Sequence, residues 1–286
     1  MLVVRLGNHR YDLPARWSEL TPEHGRQFTA LCSAMSSFES GEIPFWKFRV
    51  LIVAALLNIR FKKMFNKPEG ALYENFYRIA EQIDFPFTLS RAADGSESAA
   101  ITILLSRNLL PKIGRHRGYT FDHHADGELE CTLTAEQYID ALALMQAYGA
   151  GKQLSSLQSL AETLYPGLKG AKTDKDTLLA VYYNFRGILQ YIQNLPSYRL
   201  IFATLPSEGG SPANPIGMSG TIYTLAKLGY GDINTVKSLN LFTYLDLLLQ
   251  QSVDTIKTYV GMKLKPNEIA DRMKLPLDLI FPYTSN

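Results

Sequence analysis

The sequence predicts a mainly α protein, a multi-helix domain with one or two small β-hairpins. Three observations lead there. Apolar residues recur every three to four positions through most of the long segments, the spacing that lines one face of an α-helix. Several of these segments open on helix-start residues and stop at Pro or Gly. Strand-like stretches are short and sit beside turn residues, with no βαβ rhythm around them.

The N-terminus reads as a hairpin. Leu2 to Leu6 and His9 to Leu13 flank Gly7-Asn8, a two-residue turn that tolerates positive φ, and Pro14 ends the second strand. Leu20-Thr21-Pro22-Glu23 starts the first helix. Thr21 can cap, Pro22 suits the first helical position and Glu23 favours the positive end of the dipole. Phe28, Leu31, Cys32 and Met35 follow on one face. A second helix over about Pro44 to Phe65 is apolar on nearly all sides through its middle, which predicts a central place in the core. A third spans Glu69 to Ile83, with Leu72, Phe76, Ile79 and Ile83 aligned and Pro86 closing it. Ser90 to Ser98 reads as a polar loop ahead of the apolar run Ile101 to Leu105.

Leu110 to Ile113, a Gly-Arg-His-Arg-Gly tip and Tyr119 to Phe121 form a second strand-like stretch. Leu133-Thr134-Ala135-Glu136 then opens another helix, with Gln137 placed for a reciprocal capping box with Thr134. Its apolar face is Tyr138, Ala141, Leu142, Met145 and Tyr148. Leu154, Leu157, Leu160 and Leu164 make a short helix ended by Pro166-Gly167. Thr173 to Asn194 is a long one, with Leu178, Val181, Phe185, Ile188 and Ile192 in register. Ser207 to Gly220 is too rich in Gly and Pro for regular structure. Thr221 to Leu228 is a short helix broken at Gly229-Tyr230-Gly231. Leu241, Leu245, Leu248, Val253, Ile256 and Val260 keep helical spacing through Leu239 to Val260, and a polar tail with Pro266, Pro276 and Pro282 follows.

These readings divide the chain into a helical domain over 1–206, a flexible loop over 207–220 and a C-terminal helical segment over 221–286. The two Leu-Thr-x-Glu helix starts, each after a strand-like stretch, are read either as a duplication (1–112 and 113–206) or as two helices sharing a cap pattern.

The 286 residues suffice for one large domain or two small ones, and the 46% hydrophobic content suits a folded globular chain. A net charge of +2 with 20% charged residues gives no electrostatic case for nucleic acid or a membrane surface. The basic run Arg60, Lys62, Lys63 and Lys67 reads as a solvated helix end. The N-terminus lacks a signal-peptide pattern, and the most apolar run, Val50 to Ile59, is about half the length needed to span a bilayer. Cys32 and Cys131 do not suggest a disulfide scaffold, so a reducing cytoplasm is expected.

The chemistry candidates centre on Asp122-His123-His124, the metal-binding triplet of one phosphoesterase family. There the triplet follows a buried parallel strand, and further aspartates hold a second metal. Here the preceding residues are short, and the Asp-x-Asp pair, Asp174 and Asp176, sits at a helix start. A simpler site would use His116, Asp122, His123, His124 and Asp126, since imidazole and carboxylate suit zinc. A solvated loop of mixed charge is the alternative. No Gly-x-Ser-x-Gly and no phosphate-binding Gly-rich loop with Lys is present, and no cofactor is expected.

The order of weaker motifs carries more. Leu13-Pro14-x-x-Trp17-x-Glu19-Leu20-Thr21 is followed by Leu105-Ser-Arg-Asn-Leu-Leu-Pro111, Leu133-Thr-x-Glu136, Leu164-Tyr-Pro166, Tyr183-Asn-Phe185 and Gly229-Tyr-Gly-Asp232-Ile233. This order resembles a group of uncharacterised prophage and mobile-element proteins of Bacteroidetes-type bacteria. The chain lacks the Arg that many of them carry between Tyr165 and Pro166. The resemblance implies a non-enzymatic, phage-associated role in tail assembly, similar to a tail-assembly chaperone. Three functional expectations follow. The first is a host-cytoplasmic protein that binds another protein, a phage tail component, through Leu241, Leu245, Leu248, Val253 and Ile256 and the 207–220 loop. The second is a metal-dependent hydrolase using the His116, Asp122, His123, His124 and Asp126 set. The third is a head or tail connector subunit.

Overall fold

The computed structural model describes residues 1–6, 8–59, 70–91, 97–124, 126–203 and 219–284. The chain divides into two compact units, one of Met1–Glu130 with Leu144–Tyr191, the other of Cys131–Ala143 with Ile192–Asn286. This division runs differently from the expected boundaries at 206 and 221. Among the described residues the chain holds twelve α-helices and four two-stranded antiparallel sheets, a mainly α fold with small hairpins. No helix among them is long and apolar enough to cross a membrane.

In the first unit, β1 (Leu2–Leu6) pairs with β2 (His9–Leu13) from Leu2↔Leu13 to Leu6↔His9, the register a two-residue turn imposes. Gly7 itself lies outside the described residues. A 3₁₀ turn over Trp17–Glu19 buries Trp17, whose indole N–H donates to the Thr102 carbonyl at 3.0 Å and whose ring meets Phe85 edge-on at 4.9 Å. Thr21-Pro22 starts a 3₁₀ turn rather than the α-helix itself, and α1 (Gly25–Glu39) follows, burying Phe28, Leu31, Cys32 and Met35 as their spacing predicts. Helix α2 (Phe45–Leu56) is buried at Phe48 and at every position from Val50 to Leu56. Its end is marked by Asn58 at φ 54°, a left-handed residue that turns the chain out of the helix. The expected continuation to Phe65 and the basic run Arg60, Lys62, Lys63 and Lys67 lie outside the described residues.

Helix α3 (Gly70–Ala80) buries Phe76 and Ile79, and Ile83 is buried just beyond it. The two ends of the expected polar loop at Ser90–Ser98 are instead paired strand, β3 (Phe87–Arg91) on β4 (Glu97–Ile101), while residues 92–96 lie outside the described residues. Ser90 and Ser98 face each other with hydroxyl oxygens 2.7 Å apart, and Thr88 and Thr102 do the same at 2.8 Å. Thr88 to Arg91 are all exposed, so the strand lacks the apolar alternation by which a half-buried strand is recognised. Two shorter ladders follow, β5 (Lys112–Ile113) with β6 (His116–Arg117) and β7 (Phe121–His123) with β8 (Leu129–Cys131). Four hairpins thus stand where one or two were expected.

Helix α4 (Ala135–Gly151) starts as its sequence dictates: Gln137 N–H donates to Thr134 Oγ1 at 3.2 Å and Thr134 N–H to Gln137 Oε1 at 3.1 Å. Helix α5 (Leu154–Leu164) buries Leu157, Leu160 and Leu164, whereas Leu154, expected on the same stripe, is exposed. Helix α6 (Lys175–Gln193) is capped by Asp174, which accepts from Thr177 N–H at 3.0 Å and Thr177 Oγ1–H at 2.7 Å. Midway along α6, Gly187 lets a strand-like segment cross at contact distance. A Cβ there would lie 2.5 Å from Ile103 and 2.7 Å from Leu105, and Leu105 N–H donates to the Gly187 carbonyl at 3.1 Å.

The second unit contains α7 (Arg199–Phe202), α8 (Ser219–Lys227), α9 (Ile233–Ser238), α10 (Leu241–Gly261), α11 (Pro266–Met273) and α12 (Leu277–Thr284). Asp232 caps α9 and Asn240 caps α10. A short backbone exchange ties the start of α4 to the start of α10: Ala135 N–H donates to Leu239 O at 2.9 Å and Leu241 N–H to Leu133 O at 2.8 Å. The expected polar tail is folded. Pro266 opens α11, and Ile269, Ala270, Leu275 and Ile280 join Leu200 and Ile256 in one apolar cluster. Proline is equally at home at the first turn of a helix, so Pro266 does not mark a tail. Residues 207–218 of the expected flexible loop lie outside the described residues.

Candidate functional site

The Asp122-His123-His124 triplet straddles β7 and the turn to β8. His123 Nδ1 lies 3.2 Å from the Gly127 carbonyl, which can only accept, so this nitrogen carries the proton. In the neutral ring Nε2 then accepts from the Tyr191 hydroxyl at 3.1 Å. Asp122 Oδ1 accepts from the His123 backbone N–H at 2.9 Å and stands 3.7 Å from Arg107 Nε. His124 Nε2 is 3.7 Å from Glu130, and Asp126 Oδ1 accepts from Glu128 N–H at 3.0 Å within the turn. His116 is on β6, its ring against Gly167, where an added Cβ would meet Nδ1 at 2.7 Å. The five residues are therefore engaged one by one in local contacts. Among the described residues no three His, Cys, Asp or Glu side chains are grouped to share a metal ion.

Three of the sequence motifs instead converge on a buried polar network in the first unit. Asn108, from Leu105-Ser-Arg-Asn-Leu-Leu-Pro111, donates to the Tyr119 carbonyl at 2.7 Å and accepts from Leu110 N–H at 2.8 Å. Asn184, from Tyr183-Asn-Phe185, accepts from Leu109 N–H at 3.0 Å and donates to Asn108 Oδ1 at 2.8 Å and to the Tyr119 hydroxyl at 3.1 Å. Tyr165, from Leu164-Tyr-Pro166, donates its hydroxyl to the Leu110 carbonyl at 2.6 Å, and burial holds that phenol above its ordinary pKa. Its ring lies flush on Gly118, where a Cβ would come within 2.3 Å of a ring carbon. A loop that runs through the interior must satisfy its backbone groups; these side chains do that for the Leu109 and Leu110 N–H and the Leu110 carbonyl, while Asn108 N–H donates to the Phe121 carbonyl at 2.6 Å. Sequence reasoning picked out the motifs without assigning this role. The available signal was Asn184 on the buried face of an apolar helix. A second polar link joins α1 to α6: Glu39 accepts from Arg186 at 2.7 Å and from the Tyr183 hydroxyl at 2.7 Å.

The expected partner-binding stripe requires correction. Leu241, Leu245, Leu248 and Ile256 are buried inside the second unit, and Val253 is half-buried against the same cluster. An amphipathic helix fits either a partner or its own core, and here the inward face of α10 is covered by the chain itself. Exposed apolar residues of this unit lie elsewhere, Met262 and Phe281 among them. Tyr223 on α8 and Leu228 after it are 57% and 55% exposed, and Tyr230 and Ile233 are exposed within the same eleven-residue stretch.

Comparison with protein-family models, with curated proteins and with solved structures returned no match.

Proposed function

We propose that this chain is a non-enzymatic protein that acts by binding another protein in the host cytoplasm, a phage tail component during assembly. One observation supports the binding part of the reading: Tyr223, Leu228, Tyr230 and Ile233 are left open to solvent within eleven residues, on and between two helices that pack on each other. Covering all four would gain on the order of 4 kcal/mol, taking about half of the full side-chain burial value for each. The tail assignment rests on the order of the sequence motifs.

The test is co-expression of the tagged full chain with phage tail proteins, a tape-measure protein first. Co-purification of a tail component with the chain, reduced about tenfold or more by Tyr223→Ser with Tyr230→Ser, supports the reading. Recovery of none of those proteins overturns it. A ring-sized oligomer in size-exclusion chromatography with light scattering would point to a connector subunit instead.

A further inference from the structure

We propose that the cleft between α2 and α3 receives an arginine side chain from a protein partner, a claim that rests on the protein-binding reading and adds a recognition element in the first unit. The cleft has a volume of about 480 Å³ and is lined by Trp46 and Val50 from α2 and by Glu74, Tyr77, Arg78 and Glu81 from α3 and its end. Glu74, Tyr77, Arg78 and Glu81 stand at i, i+3, i+4 and i+7, so they form a single stripe, with Tyr77 between the two carboxylates. Trp46 and Tyr77 are 51% and 41% exposed, whereas Val50 beneath them is buried. A large exposed indole and phenol beside an apolar floor form a slot for a flat group on an aliphatic stem.

The polar groups narrow the choice. Arg78 Nη2 is committed to Glu74 Oε1 at 2.6 Å. Glu81 has no ion-pair or side-chain hydrogen-bond partner among the described residues, and the Trp46 indole N–H has none either. Arg49, another cation on α2, is held by the Ala80 carbonyl at 2.7 Å and lies within 6 Å of the Phe45, Tyr77 and Phe87 ring centroids. The carboxylate left unmatched is therefore Glu81. A guanidinium is the side-chain group that stacks on an indole and also offers a carboxylate two parallel N–H donors. A lysine ammonium makes the charge contact without the planar stacking.

The experiment uses the full chain, ¹⁵N-labelled, titrated with a blocked Gly-Arg-Gly peptide and with its lysine and citrulline counterparts. Citrulline keeps the planar shape and loses the charge. The readout is the pair of tryptophan indole N–H resonances, one from Trp46 and one from the buried Trp17. The Trp46 resonance should shift with arginine while Trp17 stays put, at an affinity in the millimolar range. Lysine should bind about threefold or more weaker and citrulline about tenfold or more weaker. Glu81→Gln, an exposed isosteric change, should weaken the arginine peptide about tenfold. No Trp46 shift up to about 10 mM peptide, equal binding of citrulline, or an unchanged affinity in Glu81→Gln would each overturn it. A null titration alongside capture of a tail component through Tyr223 and Tyr230 would remove this cleft and leave the protein-binding reading intact.

Discussion

Removing the Asn184 side chain should unfold the first unit's interior more than its small volume suggests. Asn184→Ala deletes three hydrogen bonds: one accepted from Leu109 N–H, one donated to Asn108 and one donated to the Tyr119 hydroxyl. The two donated bonds are worth about 1 kcal/mol each. Loss of the accepted one leaves a buried backbone N–H at Leu109 with no acceptor, a cost of about 1–3 kcal/mol. The sum is roughly 3–5 kcal/mol. Both tryptophans, Trp17 and Trp46, belong to the first unit, so their fluorescence follows that unit through a urea titration. With a slope of roughly 2 kcal/mol per molar urea, the midpoint should fall by about 1.5–2.5 M with the slope unchanged. Tyr119→Phe, which removes one of the three bonds, should cost about 1 kcal/mol. A loss below about 1 kcal/mol for Asn184→Ala would refute the claim that the network carries the loop's backbone.

Two helical glycines should respond in opposite directions to alanine. Gly187→Ala is expected to destabilise by about 1–3 kcal/mol because its Cβ would overlap Ile103 and Leu105, while Gly149→Ala, with nothing within 4 Å, should stabilise by about 0.5–1 kcal/mol, both read from urea midpoints. Leu245→Ala should cost about 2–5 kcal/mol, followed by circular dichroism because the second unit has no tryptophan; a near-neutral result would restore the α10 stripe as a free surface. The Asp174 carboxyl is held below its ordinary range chiefly by the Thr177 N–H, so its capping contribution is complete above the unfolded pKa near 3.8 and lost as pH falls through the folded value. Asp174→Asn should keep most of the cap and flatten that acid limb, visible as a stability difference that closes at low pH. Exposed His124→Ala and Asp126→Ala should each shift stability by less than about 0.5 kcal/mol, measured from urea midpoints as well.

Local signals were enough wherever a residue's partner lies within a few positions of it. The Thr134–Gln137 box, the inward face of α1, the burial of α2 through its middle and the Asp174 cap all depend on helix geometry over one or two turns. The same logic failed where the partner is distant or the cue is ambiguous. Strand β3 is exposed from Thr88 to Arg91 and leaves no periodic trace. Pro266 starts a helix in what reads as a tail. The Asp122-His123-His124 string has metal-binding letters, yet a single hairpin strand and its turn send its members to different neighbours. Asn108, Tyr165 and Asn184 meet only because the chain returns after 57 and then 19 steps of sequence. The sequence by itself thus determined which segments are helices and which faces are apolar, since both follow from a 3.6-residue period. Only the tertiary structure decided that the α10 face is spent on the chain's own core and that Trp46, Tyr223 and Leu228 remain outside, because burial is settled by what packs against a face.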